Sequence, residues 1–124
     1  MIKLLIVSDS HGNVSTLNSL KNIMFESDFV IHLGDYLTDM NMFADELKDK
    51  LIRVKGNCDV SFGDSEIIKD IGGKKFLITH GHRYRVKNDL TNLSFRANEA
   101  QADVVLYGHT HVPSIERNGN LFFI

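Results

Sequence analysis

Five short apolar runs recur along the chain, and each stops at, or within two residues of, a side chain that can bind a metal ion. A continuous apolar run between polar residues is typical of a strand buried on both faces. If the runs are neighbouring strands, the residues that follow them gather at one edge of the sheet, where ligands bind in open α/β folds. The runs are Ile2–Val7, Phe29–Leu33, Leu51–Val54, Phe76–Ile78 and Val104–Tyr107.

Between several of these runs the apolar residues recur at helical spacing. One such stripe consists of Leu90, Leu93, Ala97 and Ala100. The spacing predicts three helices, over residues 13–26, about 39–50 and 89–101.

Turn sequences predict two β-hairpins in the second half of the chain. Gly72-Gly73 joins strands over residues 66–71 and 74–79, and Asn118-Gly119-Asn120 joins strands over residues 114–117 and 121–124. Strands that alternate with helices and then pair as hairpins indicate an α/β fold with a mixed sheet. The chain shows no repeat or linker, which predicts a single domain over residues 1–124.

The composition narrows the classes of protein that fit. The chain has 124 residues, 43% of them apolar and 24% charged, which is ordinary for a globular protein. Its net charge of −2 gives no basic surface of the kind that nucleic-acid binding usually needs. The sequence predicts a cytoplasmic protein without a membrane segment. It has a single cysteine, no cleavable leader and no apolar stretch near the roughly 20 residues that span a bilayer.

The polar residues after the runs suit a transition metal. Asp9 and His11 are two apart, as are His109 and His111, so in extended backbone each pair points to one side. Carboxylate and imidazole ligands together suit manganese, iron, nickel, cobalt or zinc. The candidates, too many for one first-row ion, are Asp9, His11, Asp35, Asn57, His80, His109 and His111.

Two ions that share a bridging carboxylate would use all of these ligands. In such sites the ions stand roughly 3.5–4 Å apart and lower the pKa of a bridging water, which then attacks a phosphorus ester in line. The ligand set therefore predicts metal-dependent hydrolysis.

The same residues fall into five ordered motifs that resemble the calcineurin-like metallophosphoesterase superfamily. The Gly56-Asn57-Cys58-Asp59 form and the short length are similar to its small prokaryotic, YfcE-like phosphodiesterase branch. The motifs are Asp9-x-His11, Gly34-Asp35, Gly56-Asn57-Cys58-Asp59, His80-Gly81-His82 and Gly108-His109-Thr110-His111.

The resemblance implies an αββα sandwich, in which two mixed β-sheets are flanked by helices. It also implies two divalent metal ions, with manganese first and nickel, iron, cobalt or zinc as alternatives. Asp35 would bridge the two ions. One ion would be held by Asp9, His11 and His111, and the other by Asn57, His80 and His109.

The implied activity is hydrolysis of a small phosphodiester, such as a cyclic nucleotide, by a hydroxide that bridges the metals. Many relatives have a histidine where this chain has Cys58, and in them it stabilises the transition state or protonates the leaving oxygen. Here Cys58, His82 or a metal-bound water would take that role, and Asp59 is expected to orient its neighbours. A covalent nucleophile at Cys58 is a rival hypothesis. The predicted catalytic residues are Asp35, Asn57, Cys58, Asp59 and His82.

Three further interpretations concern the surroundings of the site. Relatives continue past the strand that matches Leu121–Ile124, so the second sheet is expected to be incomplete. Its free strand is expected to fray, to aggregate or to pair with another copy in a homo-oligomer. The fold could instead be a non-catalytic scaffold, as in the retromer subunit that resembles this family. His32 is interpreted as a structural residue, and the basic side chains from Arg83 to Lys87 as either phosphate-binding or solvated.

Overall fold

Strands and helices alternate in the first part of the chain and build a parallel sheet. The computed structural model describes residues 2–8, 14–35, 40–57, 59, 64–110, 115–118 and 121–124. The strands are β1 (Leu4–Val7), β2 (Phe29–His32) and β3 (Leu51–Arg53). Within the described ranges they lie in the order β1-β2-β3, and both pairings are parallel.

Helices make the crossovers that parallel pairing requires, because each connection must return to the start of the next strand. The described part of the segment between β1 and β2 contains two short helices, and that of the segment between β2 and β3 contains one that continues into a 3₁₀ turn. These helices are α1 (Val14–Ser19), α2 (Lys21–Glu26) and α3 (Asn41–Leu47), and the 3₁₀ turn is Lys48–Lys50.

The second sheet is mixed, with the strand order β4-β5-β6-β8-β7. Both predicted hairpins pair antiparallel, whereas β6 lies parallel to β5 and β8 on its two sides. Helix α4 (Thr91–Ala100) makes the crossover from β5 to β6. The strands are β4 (Glu66–Ile71), β5 (Lys74–Thr79), β6 (Val104–Leu106), β7 (Glu116–Asn118) and β8 (Leu121–Phe123).

Among the described residues, three apolar clusters hold the layers together. One lies between the sheets and joins Ile31 and Ile52 to Phe76 and Ile78. On the outer side of the first sheet, helices α1 to α3 pack a second cluster against Val30. On the outer side of the second sheet, α4 packs a third cluster against β5, β6 and β8. These layers confirm the predicted αββα arrangement of two sheets between helices.

The structure differs from the sequence predictions in its details. The helix predicted over residues 13–26 is interrupted at Leu20, where ψ is 2° and the helical hydrogen-bond pattern restarts. The mixed pairing expected of both sheets is found in the second sheet, whereas the described strands of the first sheet are all parallel because helices connect them. The predicted single domain and the incomplete second sheet remain predictions.

The helices in the described ranges are short, and none has the length and apolar composition needed to cross a membrane.

Candidate metal centre

Three predicted metal ligands meet where strands of both sheets end. Asp35 follows β2, His80 follows β5 and His109 follows β6. One ligand atom from each of these side chains lies within 4.8 Å of the other two, so together they could hold a metal ion. Asp35 and His80 are buried and His109 is half-buried, so these ligand side chains lie largely out of solvent.

The ring of His80 lies at the middle of this group. Its Nε2 is 3.1 Å from Asn57 Oδ1, 3.1 Å from His109 Nδ1 and 3.5 Å from Asp35 Oδ2. On the other side of the ring, Nδ1 is 2.7 Å from the carbonyl oxygen of Leu33. A carbonyl can only accept, so Nδ1 carries the hydrogen and donates it.

In the tautomer with its only ring hydrogen on Nδ1, the Nε2 lone pair of His80 faces the site. Asn57 Oδ1 and Asp35 Oδ2 are also acceptors, and they lie at close range to it. Facing lone pairs repel one another unless a cation or a proton lies between them. The donor set therefore fits a divalent metal ion of the kind that imidazole, amide and carboxylate ligands hold.

The backbone brings Asp35 into this position through a tight left-handed turn. Gly34 has φ 104° and Asp35 has φ 60°, a region that residues other than glycine rarely occupy. A Cβ atom on Gly34 would come within 2.8 Å of His80 Nδ1 and of the backbone nitrogen of Gly56. The turn thus packs directly against the segment that carries Asn57.

Asp59 supports the segment that carries Asn57. Its Oδ2 accepts a hydrogen bond from the Gly56 amide at 2.9 Å, and the side chain is buried. This contact closes the turn between residues 56 and 59 around Asn57. The placement agrees with an orienting role, and a catalytic role for Asp59 stays a prediction.

His82 borders the same group of rings. Its ring centroid is 5.5 Å from that of His80 and 6.1 Å from that of His109. Within the described part of the chain, its buried Nδ1 has no hydrogen-bond partner. Burial is the largest cause that lowers the pKa of His82 below its ordinary value, and the positive charge of Arg83 adds to it.

Burial is also the main cause that lowers the pKa of His109, and the positive charge of Lys87 adds to the effect. A lowered pKa keeps the imidazole neutral, which is the form that binds a metal ion. Four other predicted site residues, namely Asp9, His11, Cys58 and His111, lie outside the described residues.

One polar cluster beside the site was not predicted. The hydroxyl of Tyr84 donates to Glu66 Oε1, and Arg96 donates from Nε at 3.0 Å and from Nη2 at 2.8 Å to Glu66 Oε2. These residues are 18 and 30 positions from Glu66, so no local pattern in the sequence indicates the contacts. Tyr84 is therefore engaged by Glu66, while its neighbours Arg83 and Arg85 are exposed.

Comparisons with known proteins agree on one family. The profile of the calcineurin-like phosphoesterase superfamily domain matches residues 2–124. YsnB of Bacillus subtilis, named a probable metallophosphoesterase, is 38% identical over 118 residues, which cover 93% of this chain and 68% of YsnB. The phosphodiesterase YfcE of Escherichia coli K12 is 28% identical over an alignment of 147 residues, which covers 98% of this chain and 76% of YfcE.

Among solved structures, Vacuolar Protein Sorting 29 from Cryptosporidium parvum has a similar fold. It superposes with a TM-score of 0.83 at 14% sequence identity, over 99% of this chain and 72% of that one. At this identity, the likeness concerns the fold alone.

Proposed function

The chain belongs to the calcineurin-like phosphoesterase superfamily, and on this premise we propose that it hydrolyses a small phosphodiester with the help of two divalent metal ions. The predicted YfcE-like branch is confirmed by the likeness to YsnB and YfcE. Relatives named metallophosphoesterase and phosphodiesterase support a phosphoric ester hydrolase.

The observation that carries the proposal is the group of acceptor atoms around His80 Nε2. Asn57 and Asp35 come from the first sheet and its loops, whereas His80 and His109 come from the second. Acceptors from both sheets point at one small volume. A rigid scaffold needs no such arrangement, because facing acceptors repel one another unless a cation or a proton lies between them.

We assign one ion to Asn57, His80 and His109, and a second to Asp9, His11 and His111, with Asp35 shared. Manganese is the first candidate, and nickel, iron, cobalt or zinc are alternatives. When bound, the ions would polarise a solvent molecule and neutralise charge on the phosphoryl oxygens.

The protein's own residues would fix the geometry of the reaction. Leu33 holds the His80 ring in the tautomer that turns Nε2 to the site, and Asp59 holds the turn that carries Asn57. We propose that His82, whose Nδ1 has no partner in the described structure, contacts the solvent molecule or the leaving oxygen, with Cys58 as the other proton donor. Substrates with acidic leaving groups need such a donor least.

The proposal is tested with metal-stripped protein and a chromogenic aryl phosphodiester. We expect hydrolysis to return when Mn²⁺ or Ni²⁺ is added, and Asp35→Asn or His80→Ala to lower kcat/KM by more than about 100-fold. That loss exceeds the 10–100-fold typical of a residue that only orients a ligand. The matched control is Asp45→Asn on the exposed side of α3, which should retain full activity.

Metal analysis separates the enzyme from the scaffold alternative that the Vacuolar Protein Sorting 29 likeness suggests. The enzyme should bind up to two Mn²⁺ per chain. The Asp35→Asn variant should bind fewer ions or bind them more weakly. Folded protein that binds no metal and shows no turnover would favour the scaffold.

The substrate class, the cytoplasmic location and the homo-oligomer belong to the same proposal and stay predictions.

A further inference from the structure

His32 lies three residues before Asp35 at the end of β2 and is completely buried. Its Nδ1 is 3.1 Å from the backbone nitrogen of Gly34, with the amide as the donor. An amide can only donate, so Nδ1 is unprotonated and the neutral ring carries its hydrogen on Nε2. His32 is therefore the opposite tautomer of His80.

The rings of His32 and His80 form hydrogen bonds with consecutive backbone groups of one turn. His80 donates from Nδ1 to the carbonyl oxygen of Leu33, and the next amide, that of Gly34, donates to His32. The Leu33 amide in turn donates to the carbonyl of Val7 at 2.8 Å. The backbone immediately before Asp35 is thus held by β1 of the first sheet and by the two imidazoles.

Asp35 needs such restraint because its own conformation is unfavourable. Its φ of 60° lies in the left-handed region, and residues held there persist only when their surroundings determine the backbone. The carboxylate must also point its Oδ2 toward His80 Nε2. Without the Gly34 hydrogen bond, the turn would be free to adopt other conformations that carry the carboxylate away.

We propose that His32 is a positioning residue for Asp35: by accepting the Gly34 amide at Nδ1, it holds the carboxylate where the metal ions require it. The inference rests on the proposed function. It assigns His32 no contact with metal or substrate.

The test uses three substitutions at His32 that differ in where an acceptor lies. In His32→Asn the side-chain oxygen can occupy the place of Nδ1, in His32→Gln the amide reaches the place of Nε2, and His32→Leu has no acceptor. Binding of Mn²⁺ to metal-stripped protein is measured by calorimetry, and the thermal midpoint of the metal-free form is measured in parallel.

We expect His32→Leu and His32→Gln to raise the Kd for Mn²⁺ by about 10–100-fold, as loss of an orienting group does, and His32→Asn to restore most of the affinity. Packing alone predicts another order, because the small asparagine leaves the largest void and should give the lowest thermal midpoint. An affinity order that follows the thermal midpoints, or unchanged affinity in all three variants, would overturn the inference.

The outcomes also separate this inference from the proposed function. In one outcome, the wild type binds Mn²⁺ and the affinities of the variants follow the position of the acceptor, while no protein hydrolyses a phosphodiester. In that case the positioning role is supported and the proposed activity is wrong. If the wild type binds and hydrolyses while the variants bind equally well, only the positioning role falls. If the wild type binds no metal, both fall together.

Discussion

The carboxylate of Asp35 fits into the site because the residue facing it has no side chain. A Cβ atom on Gly56 would overlap Asp35 Oδ1 and come within 2.5 Å of the Asp35 backbone nitrogen. Gly56 is buried, so neither segment can move outward without disturbing the packing around it. At this position glycine is required for close approach of two backbones.

Gly56→Ala should therefore disturb the site more than the fold. We expect the added methyl group to displace Asp35, to raise the Kd for Mn²⁺ at least about 10-fold and to lower the free energy of unfolding by about 1–3 kcal/mol, as overpacking does. Calorimetry and urea unfolding measure the two effects.

The matched control is Gly73→Ala in the hairpin between β4 and β5. A Cβ atom there meets nothing within 4 Å, but φ is +82°, so the substitution should cost about 1–2 kcal/mol from backbone strain alone. It should leave Mn²⁺ binding unchanged. Equal loss of metal affinity in both variants would show that general destabilisation, rather than the displaced carboxylate, is responsible.

At the scale of elements, one polar cluster connects a strand of the second sheet, a 3₁₀ turn and helix α4. Glu66 is the first residue of β4, Tyr84 is the last residue of a second 3₁₀ turn (His82–Tyr84), and Arg96 lies in α4. Both carboxylate oxygens of Glu66 are used. The side chains of Glu66 and Arg96 are only 22% and 26% exposed, so this ion pair is less screened than one on the open surface.

The cluster predicts a pH dependence of stability. Burial by itself raises the pKa of Glu66, but the hydrogen bonds from Arg96 and Tyr84 and the charge of Arg96 outweigh it, so the pKa lies below its ordinary value of 4.5. A carboxyl whose pKa is lowered by folding stabilises the protein above its unfolded pKa, and this contribution is lost as the pH falls through the folded pKa.

We therefore expect Glu66→Gln to be less stable than the wild type by about 1 kcal/mol at pH 7, and the difference to shrink below pH 4.5. Urea unfolding of metal-free protein between pH 7 and about pH 3 measures it. Glu99→Gln is the control, because Glu99 also contacts Arg96 but is 75% exposed. A difference that stays constant with pH, or that is equally large in the control, would contradict the prediction.

The elements that the sequence predicts well are those whose pattern is local. Apolar runs locate β2 and β5, and glycine pairs locate the first hairpin, because burial and turn geometry depend on neighbouring residues. The Glu66–Arg96 contact bridges 30 positions, and no glycine or proline marks the interruption at Leu20. Neither is written in a local pattern.

The candidate site likewise has features that the sequence predicts and features that it does not. The order of the motifs brings Asp35, His80 and His109 into one site, since their strands end at one rim. The tautomer of His32, by contrast, depends on a single backbone amide that becomes its donor only after the turn has folded. Sequence reasoning could identify His32 as structural, but not what it holds in place.

For the whole molecule, the important fact is that the candidate ligands belong to different sheets. Asp35 and Asn57 follow strands of the first sheet, and His80 and His109 follow strands of the second. Below them, the two sheets are joined by apolar side chains such as Ile31 and Ile78. A metal ion at the rim would add a polar crosslink to this apolar contact and would bind the folded state alone.

Removal of metal should therefore lower the stability of the whole sandwich. Free Mn²⁺ at 100 times its Kd adds about 2.7 kcal/mol to the free energy of unfolding, which for a chain of this size corresponds to roughly 10 °C in the thermal midpoint. We expect the thermal midpoint to fall by this amount when a chelator is added. The protein should unfold in a single transition, because the ligands come from both sheets. Asp35→Asn should lose most of the shift. If protein shown to bind Mn²⁺ melts at the same temperature with and without chelator, the unfolded chain binds the ion as tightly as the folded one, and the assignment of Asp35, Asn57, His80 and His109 to a site that only the fold assembles would be wrong.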